Sequence, residues 1–425
     1  MDQKKTDRRT FIGISAGAAV AAGPNLLLGQ AKGANSRFRV GVMGLSRGKG
    51  HIKAYKDVPN TEVAYVCDVD DNRLASGVKY TLDQTGKEPK GVTDFRKILE
   101  DPEIDAISIA APNFWHAPAT ILACKAGKHV YVEKPGSYNP DESQTMVQVA
   151  KDHRKMVQMG TQRRSYPALI EAVQKLRDGV IGDLRLAKCW YTSTRPSIGK
   201  GTIGSPPPEL NWELWQGPVP EQPYKDNLVH YNWHWHWMYG GGEMANNGVH
   251  SLDIARWAMG VDLPGQITYT GGRYRYDDDQ ETPDTSAAYF EYGNLGMTWE
   301  NTSCHRRKPE DSKFVRVYGD GGMMDISSSN YTIYDDKGVE THRNVDKPSD
   351  VPHFTNFADA VREGTPLNQP IEDGQVSSML CHLANIAYRT SGSVQVNPET
   401  GKFIDNPAAD KLWARDAYRS GWEIS

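Results

Sequence analysis

The chain has only five cysteines, Cys67, Cys124, Cys189, Cys304 and Cys381, and no two of them form a C-x-x-C pair. An odd, scattered set offers neither a disulfide framework nor a structural zinc site. Excess charge of either sign is also missing. The 49 Lys and Arg against 53 Asp and Glu leave a formal net charge of -4, so there is no electrostatic footprint for nucleic acid. No internal repeat occurs, and no low-complexity tract beyond the N-terminal segment. The apolar run in "DRRTFIGISAGAAVAAG" is too short and too rich in glycine to cross a bilayer, so no stable membrane span is expected in the mature chain.

What is present is a long chain, 425 residues, enough for two or three domains with sizeable cores. At the N-terminus Arg8, Arg9 and Phe11 precede the weak apolar run, and Gly29–Ala31 is a small-x-small cleavage candidate. This resembles a twin-arginine export signal, and a disordered basic tail is the plainer alternative. Residues 1–34 are therefore expected to be a signal segment and the mature protein periplasmic. Over residues 35–160 short apolar runs, "RFRVGVMG", "EVAYVCDVD", "DAISIAAP", "HVYVEKP" and "MVQMGTQ", alternate with helical stretches. That alternation predicts an α/β unit with a parallel, doubly wound sheet. Residues 161–425 change character. A Pro- and Trp-rich stretch is followed by "ITYTGGRYRY", "TSAAYFEYGNLGMTWEN" and "KFVRVYGDGGMMDIS", which read as hairpins, and then by two helices. The expectation there is an α+β domain with a large, mostly antiparallel open sheet.

Five stretches are candidates for chemistry. "VGVMGLSRGKGH" follows the first strand, and Asp68 ends the second, 24 positions after Gly44. Such a pair suits a dinucleotide: the turn admits a pyrophosphate at a helix N-terminus, and the acid bonds ribose hydroxyls and repels a 2′-phosphate. Asp68 thus favours NAD over NADP, although Ser46 stands where a second glycine is usual and Gly48 comes one residue early. "YVEKPGS" places Glu133 and Lys134 at the carboxyl end of a strand, which is either a ligand-facing edge or a solvated one. In "EMANNGVHSLD", after Gly240–Gly242, Asn246, His250 and Asp253 share one face of a helix start. That face is either a catalytic wall or a set of buried polar groups satisfying one another. Near the domain crossover "GTQRRSYP" offers Gln162, Arg163, Arg164 and Tyr166 to hydroxyls or an acidic group, or to salt bridges between domains. "HYNWHWHWMYGGGE" contains His230, His234 and His236. On a strand His234 and His236 would face one way, but no partnering acid is evident beyond Glu243, and no metal site is expected.

Taken in order, the glycine turn, "CDVD", "APNFWH", "EKP" and "GVHSLDIARWAMG" resemble the Gfo/Idh/MocA family, glucose–fructose oxidoreductase-like enzymes that act with NAD(P) on sugars and cyclitols. "HFTNFADAVREG…LCHLANIAYR" is similar to the C-terminal portion of a bacterial subgroup. The resemblance runs from about Arg37 to Thr390. It implies that Lys134 and His250 are the catalytic pair. It also implies that Gly44, Ser46, Gly48 and Asp68 hold the cofactor, and that Pro112, Asn113, His116 and Glu133 line the nicotinamide ribose. Gln162, Arg163, Tyr166, Asn246 and Asp253 are then the candidate substrate contacts, with Asp253 one turn after His250 and able to orient it. Family members commonly carry Asp where this chain has Asn246, and an amide holds a hydroxyl but cannot take its proton. The resemblance further implies a homodimer or homotetramer packed through the large sheet.

Three functions fit these readings. One is an exported oxidoreductase with tightly held NAD, recycled in place, acting on a secondary hydroxyl of a sugar, sugar derivative or cyclitol. The second is an NAD-dependent glycosidase or lyase that oxidises a ring hydroxyl transiently. The third is a nucleotide-binding sugar sensor without catalysis.

Overall fold

A computed structural model describes residues 37–305, 313–390 and 392–424; the expected signal segment lies outside them. The first layer is a six-stranded parallel sheet. Its elements run β1 (Phe38–Met43), α1 (Gly48–Tyr55), β2 (Thr61–Cys67), α2 (Asp71–Thr85), β3 (Lys90–Val92), β4 (Ala106–Ile109), α3 (Asn113–Lys125), β5 (His129–Glu133), α4 (Pro140–Asp152) and β6 (Val157–Gly160). The strand order β3-β2-β1-β4-β5-β6 reverses direction between β1 and β4, and such a switch point opens a crevice at the carboxyl ends of the strands. Helices on both faces bury the central strands, so β1 and β4 are apolar almost throughout. Local signals set the helix starts. Asp70 accepts the Arg73 N–H at the head of α2, and Asn139 accepts the Glu142 N–H at the head of α4, where Pro140 fills the first helical position.

The remainder adds α5 (Pro167–Arg177), β7 (Leu184–Thr192), α6 (Val249–Met259), strands β8 (Gln266–Gly272), β9 (Thr285–Glu291), β10 (Gly296–Thr302), β11 (Val315–Gly319), β12 (Gly322–Ile326), β13 (Tyr331–Asp335) and β14 (Glu340–Asn344), helices α7 (Val351–Glu363) and α8 (Ile371–Arg389), and β15 (Ser393–Gln395). Nine strands form one sheet in the order β14-β13-β12-β11-β7-β10-β9-β8-β15. Only β7 and β10 run parallel; the other neighbours are antiparallel. Two of the three expected hairpins are β9–β10 and β11–β12, whereas "ITYTGGRYRY" supplies only the single strand β8. The central strand β7, "LRLAKCWYT", lies outside the sequence expectation because Arg185 and Lys188 break its apolar run. Helices α5, α6 and α8 cover one face of this sheet, over Phe290, Trp299 and Val317, all fully buried.

The two layers do not divide cleanly along the chain. Helix α7 packs beneath the first sheet, with Phe354 stacked on Tyr131 at 4.3 Å between ring centres and Phe357 edge-on to Phe38 at 5.9 Å. Trp422 and Ile424 likewise join the core around Trp115. Residues far beyond Gly160 thus complete the interior of the parallel unit and fix it against the second sheet. No helix among the described residues is long and apolar enough to cross a membrane.

Candidate active site

The crevice at the switch point is a cleft of about 510 Å³. One half of it is built from the first sheet. Gly44 has φ +87°, and a Cβ there would lie 2.6 Å from the Ala110 carbonyl oxygen, so only glycine allows the turn to pass this close to β4. The backbone N–H groups of Ser46 and Arg47 find no acceptor among the described residues, as a phosphate-binding turn ahead of a helix requires. Asp68 sits where β2 ends. Its carboxylate accepts the Leu45 N–H at 2.8 Å and the Asp70 N–H at 3.1 Å. Burial pushes its pKa up, against the pull of those two N–H groups and of Arg73. Pro112, Asn113 and His116, at the head of α3, line the same wall. His116 is fixed between the carbonyl oxygens of Pro135, 2.5 Å from Nδ1, and Ala111, 2.8 Å from Nε2. The residues present therefore fit a dinucleotide. Gly48 does not line the cleft. A Cβ there would lie 2.8 Å from Val42 Cγ1, so its role is to let α1 settle on β1.

The other half gathers round Lys134. Its ammonium donates to the Asn246 carbonyl oxygen at 2.7 Å and to Asn246 Oδ1 at 3.2 Å. Burial lowers its pKa to about 8, against the pull of Glu133. Glu133 is itself buried, and its Oε1 receives Arg47 Nε at 3.0 Å, His51 Nε2 at 3.0 Å and Gln162 Nε2 at 3.1 Å. Burial alone would raise this carboxyl, but Arg47 and the His51 hydrogen bond outweigh it and hold it well below the usual carboxylate range. Neither ring nitrogen of His250 has a hydrogen-bond partner among the described residues, although the ring faces the cleft. Burial and the neighbouring Lys134 charge push its pKa well down, so the imidazole is neutral. Gln162, Arg163 and Tyr166 also line the cleft, and the Tyr166 hydroxyl donates to Asp350 at 3.3 Å.

Asp253 does not belong to this set, and the expectation that it orients His250 is corrected. Residues Met244–Gly248 form a π-helical turn before α6, which brings Asn246 and His250 to the cleft. Such turns are frequent at functional sites. Three residues on, the α-helix has turned Asp253 about 60° away from His250. Its carboxylate takes a two-pronged bond from Arg164, 2.9 Å from Nε and 2.8 Å from Nη2, together with the Ser377 hydroxyl at 2.7 Å. The face splits into both of its readings: Asn246 and His250 are wall, and Asp253 is a buried, satisfied ion pair.

The histidine-rich stretch is not a strand. Asn232–Trp235 is a 3₁₀ turn in which the His234 ring stacks on Trp233 at 3.6 Å, while His236 lies 3.6 Å from Glu281. No group of three or more His, Cys, Asp or Glu able to hold a metal occurs among the described residues. Sequence reasoning missed Arg47 and Asp350. Arg47 Nη2 lies 3.0 Å from Asp350, so the residue joins the phosphate turn, Glu133 and the head of α7. Arg47 stood inside a stretch already read for its glycines, whereas nothing local marks Asp350.

Two family models match the chain. One is described as an oxidoreductase family, NAD-binding Rossmann fold, over residues 38–161, and the other as the same family's C-terminal alpha/beta domain, over residues 197–424. The chain belongs to the Gfo/Idh/MocA oxidoreductase family. It is 23% identical over 382 residues to a myo-inositol 2-dehydrogenase of Thermotoga maritima, covering 86% of this chain and 100% of that protein. Other likenesses are partial. An uncharacterized oxidoreductase, YrbE, of Bacillus subtilis is 25% identical over 52% of this chain and 54% of its own length. A glycosyl hydrolase family 109 protein of Shewanella pealeana is 28% identical over 40% of this chain and 38% of its own. Among solved structures, an aldose-aldose oxidoreductase from Caulobacter crescentus superposes with a TM-score of 0.64 at 18% identity, covering 85% of this chain and 100% of that one. A levoglucosan dehydrogenase in complex with NADH and levoglucosan gives 0.64 at 18%, covering 81% and 95%. At these identities the superpositions establish the fold. The family is an oxidoreductase family with an NAD-binding first domain.

The assignment of Asp253 as structural has a direct consequence. Arg164→Met leaves a buried carboxylate without its main partner and should lower unfolding free energy by about 3–5 kcal/mol at neutral pH. The native Asp253 carboxyl is depressed, because Arg164 outweighs its burial. Its contribution is therefore present above the unfolded carboxyl pKa and is lost as pH falls through the folded one, so the deficit of the variant shrinks towards acid. Denaturant titrations at neutral and acidic pH measure this. An equal deficit at both would contradict the assignment.

Proposed function

We propose that the protein is an NAD-dependent oxidoreductase acting on a secondary hydroxyl of a sugar, sugar derivative or cyclitol. The observation that carries this reading is the meeting of Lys134, Asn246 and an unengaged His250 in one cleft with the glycine turn and Asp68. When bound, the dinucleotide supplies the hydride acceptor. The protein must then place the hydroxyl and take its proton. Lys134 is suited to take it, because burial brings its ammonium within reach of neutrality. Asn246 holds the Lys134 ammonium through its carbonyl oxygens and contributes no proton transfer of its own. The neutral His250 ring offers the hydroxyl a second donor or acceptor. Asp68, with both oxygens already anchored by backbone N–H groups, supports NAD over NADP. The twin-arginine pattern supports an exported, periplasmic protein that keeps its cofactor through the cycle. The large sheet supports a homodimer or homotetramer.

A second reading has its own support in the likeness to glycosyl hydrolase family 109 proteins. There, transient oxidation would acidify a neighbouring C–H and allow elimination of a glycoside. The mass of the product relative to substrate and water separates the two, since net oxidation removes two hydrogens and redox-assisted cleavage removes none.

If Lys134 is the base, its neutral form is the active one. Oxidation should therefore rise with pH through an apparent pKa of about 8 and level off above it. Lys134→Met should lose roughly 10²–10⁴-fold in kcat. A flat profile, or a Lys134→Met enzyme with full turnover, would contradict the assignment.

A further inference from the structure

Two consecutive arginines leave β6 and part company. Arg164 turns inward to Asp253, and a second contact reaches Asp373 at 3.2 Å. Arg163 turns to the cleft. Its guanidinium lies over the Phe314 ring, 4.6 Å from the centre, and no carboxylate pairs with it among the described residues. Its Nε is buried without a hydrogen-bond partner, and neither Nη bonds to a described residue.

The other cations near the reacting end are occupied. Arg47 is held by Glu133 and Asp350, Arg195 is paired with Glu243, and Lys134 donates to Asn246. Among the described residues, Arg163 is thus a guanidinium beside Lys134 and His250 in the cleft lining whose donors are all unspent, whereas Arg73 lies by Asp68 on the cofactor side. A buried, unsatisfied donor is costly, and stacking on a ring satisfies the face of the group but not its edge. The free edge of a planar guanidinium matches two coplanar oxygens. The pyrophosphate has its own place at the Gly44–Arg47 turn and the nicotinamide is not an anion, so the cofactor leaves this edge unmatched. Arg163 lines the same cleft as Lys134 and His250, and its charge depresses both.

We infer that the substrate is an acidic sugar, and that Arg163 binds its carboxylate through the guanidinium edge while the ring hydroxyl lies at Lys134 and His250. This rests on the cleft being the substrate side of a dinucleotide site. The anion does more than add affinity. It offsets the Arg163 charge, one of those that depress Lys134, and it fixes which hydroxyl meets the ammonium.

The test is calorimetric binding to the full chain saturated with NADH, which cannot oxidise the ligand. The probes are matched pairs, D-glucuronate against D-glucose and D-galacturonate against D-galactose, with D-glucose 6-phosphate as a separate arm. For at least one pair the uronate should bind about tenfold or more tighter than its neutral partner. That ratio should fall towards one in Arg163→Gln and be partly kept in Arg163→Lys, with NADH affinity confirming that each variant is folded. A panel in which no uronate outbinds its neutral partner overturns the inference, as does a ratio that survives Arg163→Gln. Tighter binding of the phosphate than of either uronate overturns the carboxylate assignment. Turnover is then read separately with NAD. A neutral sugar oxidised without uronate preference removes this inference alone, whereas Arg163-dependent uronate binding without any redox change removes the oxidoreductase reading alone.

Discussion

The ammonium of Lys134 reaches from the end of a parallel strand to the main-chain carbonyl of Asn246, 2.7 Å away on a π-helical turn of the second layer. That hydrogen bond is where the two halves of the molecule meet chemically. A main-chain acceptor holds the cation without neutralising it, as an aspartate would, so burial can bring the pKa down to about 8. Under the proposed function, an amide rather than a carboxylate at Asn246 affects how Lys134 is tuned and leaves it available as the base. The π turn matters for the same reason: it sends Asn246 and His250 to the cleft while Asp253 goes to the core.

Beneath this contact lies a buried charge web. Glu133 gathers Arg47, His51 and Gln162 on one oxygen, and Arg47 continues to Asp350 at the head of α7. A carboxylate this deep persists as an anion only because its partners are fixed, and those partners come from the phosphate turn, the first helix and the crossover after β6. The packing of Phe354 on Tyr131 holds α7 where Asp350 can complete the set. Stability and site geometry are thus the same arrangement seen from two sides. The opposite pattern, a cation without a partner among the described residues at Arg163, is what the inferred substrate carboxylate would complete.

Much of this was legible in the residues. Continuous apolar runs separated by capped helices announced the parallel unit, and Gly44, Asp68, Lys134 and His250 sit in one cleft as their motifs implied. What escaped has physical causes. The strand β7 interleaves Arg185 and Lys188 with its buried positions, so it lacks the alternation that marks a strand. Gly48 was read as a cofactor contact because spacing cannot distinguish a glycine that admits a ligand from one that admits a strand. Asp253 was misplaced because helical spacing puts it near His250 but does not record Arg164 and Ser377, whose hydrogen bonds hold its carboxylate in the core. Asp350 and the sharing of α7 with the first sheet depend on contacts hundreds of residues apart, which no local pattern records.

The central claim is that these residues form a dinucleotide site that retains its cofactor, and native mass spectrometry of the purified full chain tests it most directly. The account predicts a species heavier than the polypeptide by one NAD or NADH, lost in Gly44→Ala, where a methyl group would meet the Ala110 carbonyl at 2.6 Å. A bare polypeptide mass both as purified and after incubation with excess NAD and NADH would contradict it.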